Sequence, residues 1–530
     1  MPNILAHLVF YSWPLVVYVI FRKQPLVPAL VWSMMLGYLF LPARIGIDLP
    51  AVPTITKLEL TSLSVTIMCW LKLRWEKQAD RWKAPQTGPT PISSTKVRKS
   101  RGRLIAGTLF AMTLMAPVLT MLTNSEPIFA GGPVVLPGLR PYDVFSMLGA
   151  TMFFLLPFWI GQRYLGTAES HIIILRVLCI ALMGYSLLAL WEVRMSPQLN
   201  RTFYGFTASS FLQHMRAGGF RPMVFLDHGL LLGMLLSMTV LGTGVLWRHA
   251  RETAGKAAVW MICLCWLLFT LVLAKSVGAL VICLVLLPVI LLTKVRGQLI
   301  VGAVLAAIVI FYPMLRGAGY IPTDEIHEIA LSYSEDRAQS LKFRLDNEDQ
   351  LLEKANEKPV FGWGSWGRNM VYDIYTGRNL SVTDGAWVIF IGTYGWFGYI
   401  ARFGLLTVPI ILLALNRRRL NITAGTAGLT IVLAANLIDL LPNSSLRPIT
   451  LLLAGALMGR YIQASEVSRR PAETTAPTAP IGTAGDNPAP ALKIRKQRGF
   501  HGSSLDPAGG ETEGDLAGAP AGTRRRVRRQ

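Results

Sequence analysis

The chain has 530 residues, of which 52% are hydrophobic and only 15% are charged. Soluble domains carry about a quarter charged residues, so this composition excludes an ordinary soluble domain and indicates a membrane protein. The net charge of +22 does not indicate a nucleic-acid partner. The basic residues concentrate in 74–103, in the turns 248–256 and 416–420, and in the C-terminal tail, which is the pattern of cytoplasmic segments.

Apolar runs long enough to cross about 30 Å of hydrocarbon as a helix recur from residue 4 to residue 463. The first run lacks the basic n-region and the cleavage site of a signal peptide, so we interpret it as a retained span. The predicted spans are 4–21, 25–41, 58–73, 104–122, 143–161, 172–191, 223–247, 257–274, 277–293, 298–315, 385–415, 422–441 and 447–463. They predict an all-α polytopic bundle of about 12–13 spans in residues 1–463. When every basic turn is cytoplasmic, the C-terminus is cytoplasmic as well.

Four segments then face outward, and the first two are unremarkable: 42–57, 123–142, 192–222 and 316–384. The last carries twelve acidic and eight basic residues, unlike the basic cytoplasmic turns, and is too long for a simple connection. Part of it reads as one or two amphipathic helices that end before Pro359. Residues 464–530 are rich in Pro, Ala, Gly and Thr, which predicts a disordered cytoplasmic tail.

All five cysteines lie inside apolar runs, where we expect them to pack as small hydrophobic side chains. They are Cys69, Cys179, Cys263, Cys265 and Cys283. Cys263 and Cys265 are two apart and would point in different directions on a helix, so the sequence predicts no metal site.

Three stretches resemble one family of membrane enzymes. They are RAQSLKFRLDNEDQLLEKANEKPVFGWGSWGRN (337–369), TDGAWVIFIGTYGWFGYIARFGLL (383–406) and MRAGGFRP (215–222). Their order and spacing resemble the O-antigen ligase and O-antigen polymerase family of bacterial envelope glycosyltransferases, over about the C-terminal three-fifths of the chain up to residue 463. The resemblance implies a glycan donor linked to undecaprenyl pyrophosphate, used at the outer face of the inner membrane. It implies a lipid A-core acceptor in ligases or a carrier-linked glycan in polymerases, and no metal or nucleotide cofactor.

Displacing a pyrophosphate places negative charge on the leaving oxygen, and arginine can donate two parallel hydrogen bonds to it. Arg216 and Arg344 match the family's arginines, and Arg221 and Arg337 lie close to them in sequence. Each has a plain structural alternative. Arg344 has the spacing for an i, i+4 ion pair with Glu348, and Arg216 has the position of an interfacial anchor.

The acceptor hydroxyl benefits from a positioned base. Where the family often has histidine, this chain has Asp384, whose alternative role is that of a helix N-cap. His327 and Asp373 are substitute bases from the same loop. We expect His228 to lie a few residues inside a span as a hydrogen-bonded helix residue, although a buried ionisable group remains a candidate.

The remaining candidate substrate contacts are Lys275, Trp363 and Trp366. Lys275 lies in a short outer turn and either adds positive charge near the pyrophosphate or snorkels to the interface. The two tryptophans alternate with glycines in KPVFGWGSWGRN (358–369), which predicts a tight turn anchored in the headgroup layer. Stacking of the rings on sugar is the alternative. Gly392, Gly395 and Gly398 predict a close helix-packing seam.

These observations predict a metal-independent glycosyltransferase, either a polymerase or a ligase, of O-antigen or exopolysaccharide. Its partners would be the lipid-linked oligosaccharide, the acceptor, membrane lipids and, as a further candidate, a chain-length regulator. A transporter or flippase of the same lipid-linked glycan and a non-catalytic assembly scaffold are the alternatives.

Overall fold

A computed structural model describes residues 1–50, 52–83, 101–216, 218–333 and 335–467. Within these ranges, the side chains of 77–83 and of residues 216, 330, 333, 336 and 337 are not described. The predicted disordered tail therefore lies outside the described residues from position 468 onward. Its first residues, 464–467, belong to the last helix.

The described part of the chain contains sixteen α-helices. They are α1 Ile4–Lys23, α2 Leu26–Phe40, α3 Lys57–Lys83, α4 Arg101–Leu122, α5 Pro141–Tyr164, α6 Ala168–Met195, α7 Leu199–Tyr204, α8 Gly229–Glu252, α9 Ala257–Leu273, α10 Val277–Leu292, α11 Val295–Gly317, α12 Thr323–Tyr333, α13 Glu335–Asn356, α14 Ala386–Leu415, α15 Ala424–Asp439 and α16 Pro448–Val467. Seven are long and apolar enough to cross a membrane, and four more are shorter apolar helices. The predicted all-α polytopic membrane fold is confirmed.

Helix α8 forms the centre of the bundle and packs against α6, α9, α10 and α15. Its most apolar 18-residue window is 94% buried, whereas the corresponding windows of α1, α4 and α11 are about one-third buried. A helix that is apolar on all sides is stable either inside a bundle or against lipid. The exposed apolar faces of α1, α4 and α11 are therefore suited to contact with the hydrocarbon of the membrane.

The segments between the spans contain more structure than the sequence predicted. Three antiparallel hairpins occur there: β1 Ile47–Leu49 with β2 Val52–Ile55, β3 Ile128–Gly131 with β4 Val134–Leu136, and β5 Met215–Arg216 with β6 Gly219–Phe220. The large loop forms two helices, α12 and α13. Helix α13 ends at Asn356, which confirms the predicted stop before Pro359.

The predicted span 223–247 begins later than expected, at Gly229. Residues before it run as buried irregular backbone, because the buried Glu192 carboxylate accepts hydrogen bonds from the amides of Met223 and Val224 at 2.8 and 2.7 Å. His228 is consequently the N-cap of α8, and its Nδ1 accepts from the Leu230 amide. The expectation that His228 lies inside a span is wrong.

Helix α14 is broken at Gly395, which has φ 63° and ψ −169°. The guanidinium carbon of Arg402 lies 4.8 Å from the centre of the Phe390 ring. In a straight helix, residues twelve apart are separated by about 18 Å along the axis, so α14 must bend sharply between them. The predicted single span 385–415 is therefore two half-helices.

Candidate functional site

Arg344 and Asp384 form an ion pair at the end of the bundle that carries α13. The distance between Arg344 Nε and Asp384 Oδ2 is 3.3 Å, and each side chain is 34% exposed. Neither structural alternative occurs. Glu348 is buried and accepts a hydrogen bond from the Tyr312 hydroxyl, and the N-cap of α14 is Gly385, not Asp384. Arg344 and Asp384, two of the three residues that the sequence singles out for catalysis, thus lie side by side; the third is Arg216.

Neighbouring side chains fix the position of this ion pair. The side chain of Asn347 is buried, and its Oδ1 accepts a hydrogen bond from the Val382 amide at 2.8 Å. It therefore ties α13, three residues after Arg344, to the backbone two residues before Asp384. At the other side of α13, Arg316 of α11 pairs with Asp349 at 2.7 Å. Helix α13 is consequently fixed both to α11 and to the segment that carries Asp384.

Glu348 lies on the same helix, one turn after Arg344, and is buried. Burial raises the pKa of Glu348 to about 7, and the nearby Arg316 charge partly offsets this effect. The neutral carboxyl can donate a hydrogen bond, while the ionised form can only accept one. Charging Glu348 therefore changes the contact that holds α13 on α11.

The glycine–tryptophan stretch fills the break in α14. Hydrogen bonds join the amides of Trp396 and Phe397 to the carbonyls of Pro359 and Val360, at 2.8 and 3.1 Å. In the other direction, the amides of Trp363 and Gly364 donate to the carbonyls of Gly392 and Thr393, at 2.8 and 2.9 Å. The backbone groups freed by the break are thus satisfied inside the protein, as a low-dielectric environment requires.

Glycine is needed on both sides of this contact because the two backbones approach closely. Gly362 has φ 70°, and a Cβ atom there would lie 2.5 Å from the Gly395 nitrogen. A Cβ atom on Gly395 would collide with the carbonyl of Val360. The predicted helix-packing seam is wrong for Gly392 and Gly395, which face the 358–369 stretch. Gly398 does approach a helix, at Ala116 of α4.

The two tryptophans of the stretch have different surroundings. Trp363 Nε1 donates to the Lys354 carbonyl at 2.7 Å, and the Nζ atoms of Lys354 and Lys358 lie 3.9 and 4.6 Å from its ring centre. Its ring is therefore engaged within the protein. Trp366 is 54% exposed, so its ring remains accessible. Of the two candidate sugar contacts, Trp366 is the one that the geometry leaves available.

A second basic group lies at the turn between α9 and α10. Arg221 is buried, and its Nε and Nη2 both donate to Ser276 Oγ, at 3.2 and 3.1 Å. The Lys275 ammonium lies directly against Gly219 of the β5–β6 hairpin. Arg216 belongs to the same hairpin, and its side chain, like that of Arg337 on α13, is outside the described atoms. Arg221 and Lys275 thus lie close together at this turn.

A buried carboxylate that the sequence analysis missed connects the two groups. Asp439 lies near enough to both Arg221 and Arg344 to interact with them electrostatically. Its carboxylate also accepts hydrogen bonds from Asn443 and Ser445, at 2.9 and 2.7 Å. A further ionic group, also missed, surrounds Asp227, which pairs with Lys57 at 3.2 Å and with Arg447 at 3.5 Å. Their only sequence signal is a charged residue at the end of a span on the predicted outer side.

The substitute bases do not join the site. The Asp373 carboxylate accepts hydrogen bonds from the amides of Tyr375 and Thr376 at 3.0 and 2.7 Å, which lowers its pKa and makes it part of a turn. His327 lies on α12, and no described contact joins it to Arg344 or Asp384. The His228 ring packs 5.0 Å from the His214 ring, at the start of α8.

Residues 257–403 match a family model described as O-antigen ligase. The chain carries an O-antigen ligase domain. The resemblance to the O-antigen ligase and polymerase family is therefore confirmed for this part of the chain, and it supports glycan transfer in polysaccharide assembly. No curated protein matches the chain.

The O-antigen ligase domain contains Lys275, Arg344, Asp384 and the break in α14. Arg221, Asp439 and Arg447 lie outside it and approach the same end of the bundle from β6, α15 and the segment before α16. The candidate site is consequently assembled from the matched domain and from flanking spans on both sides of it.

Proposed function

We propose that the chain transfers glycan from an undecaprenyl-pyrophosphate-linked donor at the periplasmic face of the bacterial inner membrane. It either polymerises or ligates surface polysaccharide, with O-antigen or exopolysaccharide as the product. The observation that carries the proposal is the Arg344–Asp384 ion pair, which lies inside the O-antigen ligase domain and is partly open to solvent.

In the reaction that we propose, the acceptor hydroxyl attacks the anomeric carbon of the donor sugar. A new carbon–oxygen bond forms, the bond to the pyrophosphate oxygen breaks, and the hydroxyl proton passes to the Asp384 carboxylate. The lipid pyrophosphate leaves with the bonding electrons. The pyrophosphate already activates the sugar, so the proposed reaction uses no metal and no cofactor.

Arg344 can bind the pyrophosphate of the donor while it holds the Asp384 base in position. Its ion pair with Asp384 runs through Nε, and the terminal nitrogens of its guanidinium make no hydrogen bond within the described part of the chain. These nitrogens can donate to the oxygens of the leaving pyrophosphate. Arg221 and Lys275, held at the neighbouring turn, supply further positive charge, and we place Arg216 and Arg337 in the same role.

The topology that we propose is derived from the positions of the basic turns, which we place in the cytoplasm. The C-terminus is cytoplasmic, and α12 and α13 lie in the periplasm. The acceptor is lipid A-core for a ligase or a second carrier-linked glycan for a polymerase, and a chain-length regulator is a candidate partner. Trp366 is the candidate contact for a sugar ring, because its ring is exposed.

The broken helix α14 keeps transport of the same lipid-linked glycan as the second candidate, because broken helices form the substrate sites of many transporters. In those sites, however, the freed backbone groups face the ligand. In α14, four of them are bonded to residues 359–364. This difference favours the enzyme.

The test uses the purified full chain in nanodiscs with a lipid-linked oligosaccharide, first alone and then with lipid A-core. Products are separated on a gel. We expect wild-type protein to form a ladder or a core-linked glycan, and we expect Arg344→Ala and Asp384→Asn to form neither. The same assay in detergent separates the two candidate functions. A glycosyltransferase still forms a new glycosidic bond there, whereas a transporter forms no covalent product.

Matched controls come from the same loop. Arg378→Ala and Asp346→Asn alter exposed residues for which the structure shows no ion pair, and both should retain transfer. Full activity of Arg344→Ala or Asp384→Asn would refute the site assignment. A folded wild-type protein that forms no product with either acceptor would refute the enzyme, and transport or scaffolding would then be the better explanation.

A further inference from the structure

A partly open cavity of about 340 Å³ lies between α3, α5, the bent part of α14 and the start of α16. This volume is in the range of sites for small molecules, roughly 300–1,000 Å³. Most of its walls are aromatic or aliphatic side chains. Two arginines, Arg402 and Arg447, and one carboxylate, Glu59, also line it.

Arg402 is the unusual residue of this cavity. It lies in the second half-helix of α14 and is only 6% exposed. Its Nη2 donates to Thr151 Oγ1 at 3.2 Å, and its Nε has no hydrogen-bond partner. No carboxylate of the described residues lies within ion-pair distance of it. Burying a cation without an anion inside a membrane protein is costly, so such residues commonly serve a ligand.

A purely structural role explains only part of this arrangement. The guanidinium lies over the rings of Phe154, Phe390 and Tyr394, with centroid distances of 5.0, 4.8 and 4.2 Å. These contacts use the faces of the planar cation. The N–H groups point outward in its plane, and the Nε–H group has no acceptor there. The aromatic cage therefore leaves the edge of the guanidinium unsatisfied.

Arg447 shows the same feature at the other end of the cavity. Its Nη2 pairs with Asp227 at 3.5 Å, while its Nε has no hydrogen-bond partner. The Glu59 carboxylate accepts hydrogen bonds from the amide and the hydroxyl of Thr56, and no ion pair joins it to either arginine among the described residues. The cavity is therefore lined by apolar walls and by two arginines, neither of which has a complete set of acceptors in the protein.

We propose that this cavity binds the phosphate group of a membrane lipid, with Arg402 as its principal ligand. Phosphate suits a guanidinium edge because it accepts two parallel hydrogen bonds. The aromatic and aliphatic walls favour a lipid over a free ion, since they can bury hydrocarbon next to the phosphate. The cavity adjoins the candidate site, because Ala386, which lines it, follows Asp384 by two residues. The proposal is tested by lipid binding and not by glycan transfer, so it can fail while the proposed function holds, and the reverse.

The test measures lipid binding to the delipidated full chain by native mass spectrometry and by thermal shift. The probes are phosphatidylglycerol, a polyprenyl phosphate, diacylglycerol with the same chains but no phosphate, and inorganic phosphate. We expect the phosphate lipids to bind and to raise the melting temperature, and we expect diacylglycerol to do neither. Arg402→Gln should weaken their binding about tenfold or more.

Arg417→Gln, which removes a cation just after the end of the same helix, is the matched control and should bind as wild type does. If Arg402→Gln does not fold, Ser62→Leu fills the cavity wall while keeping Arg402, and it should also reduce binding. The lipid that binds more tightly, phosphatidylglycerol or polyprenyl phosphate, identifies the source of the phosphate.

Three results would overturn the proposal. Undiminished binding of phosphate lipids by both Arg402→Gln and Ser62→Leu would show that they bind elsewhere. Equal stabilisation by diacylglycerol would show that the phosphate is irrelevant. Displacement of the lipids by millimolar inorganic phosphate would show that the cavity is a site for a free anion. None of these results depends on glycan transfer.

Discussion

Arg344 and Arg402 lie in the same O-antigen ligase domain but in opposite environments. Arg344 is about one-third exposed and has a carboxylate partner at 3.3 Å, whereas Arg402 is 6% exposed and has none among the described residues. An exposed ion pair contributes only about 0–1 kcal/mol, so it can open when a substrate arrives. A buried cation without a carboxylate partner is costly, and an anionic ligand would reduce that cost. The first environment suits a reaction, the second a bound ligand.

The largest expected effect concerns the exposed pair. Asp384→Asn removes the proposed base and should lower the transfer rate about 10²–10⁴-fold, the usual contribution of a positioned general base. Arg344→Ala should lower it about 10²–10³-fold, as loss of one oxyanion donor does. Initial rates of product formation measure both, and the melting temperature should change little in either variant because the pair is exposed.

The double variant sharpens this prediction. If the two residues act as one unit, Arg344→Ala combined with Asp384→Asn should be scarcely worse than the more damaging single variant. Effects that multiply would show that the arginine and the aspartate act independently, which would contradict the shared role proposed for the ion pair.

The next expected effect concerns the bend that places Arg402. Gly395→Ala puts a Cβ atom into the Val360 carbonyl at a positive φ, and Gly362→Ala puts one 2.5 Å from the Gly395 nitrogen. Each should lower the free energy of unfolding by about 1–3 kcal/mol or more, as strained backbone and overpacking do. Chemical or thermal unfolding in detergent measures the change.

Gly107→Ala is the control for these variants, because a Cβ atom at Gly107 of α4 meets nothing within 4 Å. It should leave stability unchanged or raise it, since alanine favours a helix more than glycine does. Equal stability of Gly395→Ala and Gly107→Ala would contradict the close contact between the 358–369 stretch and α14.

The sequence predicted the spans well because the membrane imposes one strong constraint, a helix of sufficient apolar length. It did not predict the break in α14. The composition of that helix is apolar throughout, and its bend depends on backbone groups supplied by residues 359–364, which are remote in space until the chain folds. Hydropathy carries no information about such a backbone contact.

Part of the candidate site was predictable because its residues lie in recognisable stretches of the sequence. Arg344 and Asp384 belong to recognisable stretches near the membrane entry, and the structure joins them. Asp439, Asp227 and Arg447 were missed because each looks like an ordinary charge at the end of a span. Their significance depends on which spans are neighbours, and hydropathy does not determine the order of helices in a bundle.

A smaller effect concerns the residue that aligns the two sides of the ion pair. Asn347→Ala removes the acceptor of the Val382 amide, a partly buried hydrogen bond whose loss should cost about 0.5–1.5 kcal/mol of stability. Because Asn347 positions Asp384 without being placed on the substrate, we expect a lower kcat with little change in acceptor KM. Asn347→Asp, which keeps the acceptor oxygen, should recover part of the rate. No recovery would indicate that Asn347 acts through general stability.

The protonation of Glu348 should make the stability of the folded protein depend on pH. Its pKa in the folded protein, about 7, is above the ordinary value of a glutamate, so the folded state binds the proton more tightly than the unfolded state does. Stability should therefore fall as the pH rises from about 5 to 7.5. Melting temperatures across this range should show the decline in wild type and a smaller one in Glu348→Gln. Identical slopes in the two proteins would contradict the assignment.

The smallest expected effect separates the two tryptophans. Trp363→Ala removes a ring that two lysines contact and a hydrogen bond to Lys354, so it should reduce stability. Trp366→Ala removes an exposed ring and should change the free energy of unfolding by less than about 0.5 kcal/mol.

If Trp366 stacks on sugar, the same variant should raise the acceptor KM a few-fold and leave kcat unchanged, and Trp366→Phe should restore the wild-type value. An unchanged KM in Trp366→Ala would leave this ring as an interfacial anchor. The glycan would then be held by the charged groups around Arg344 alone.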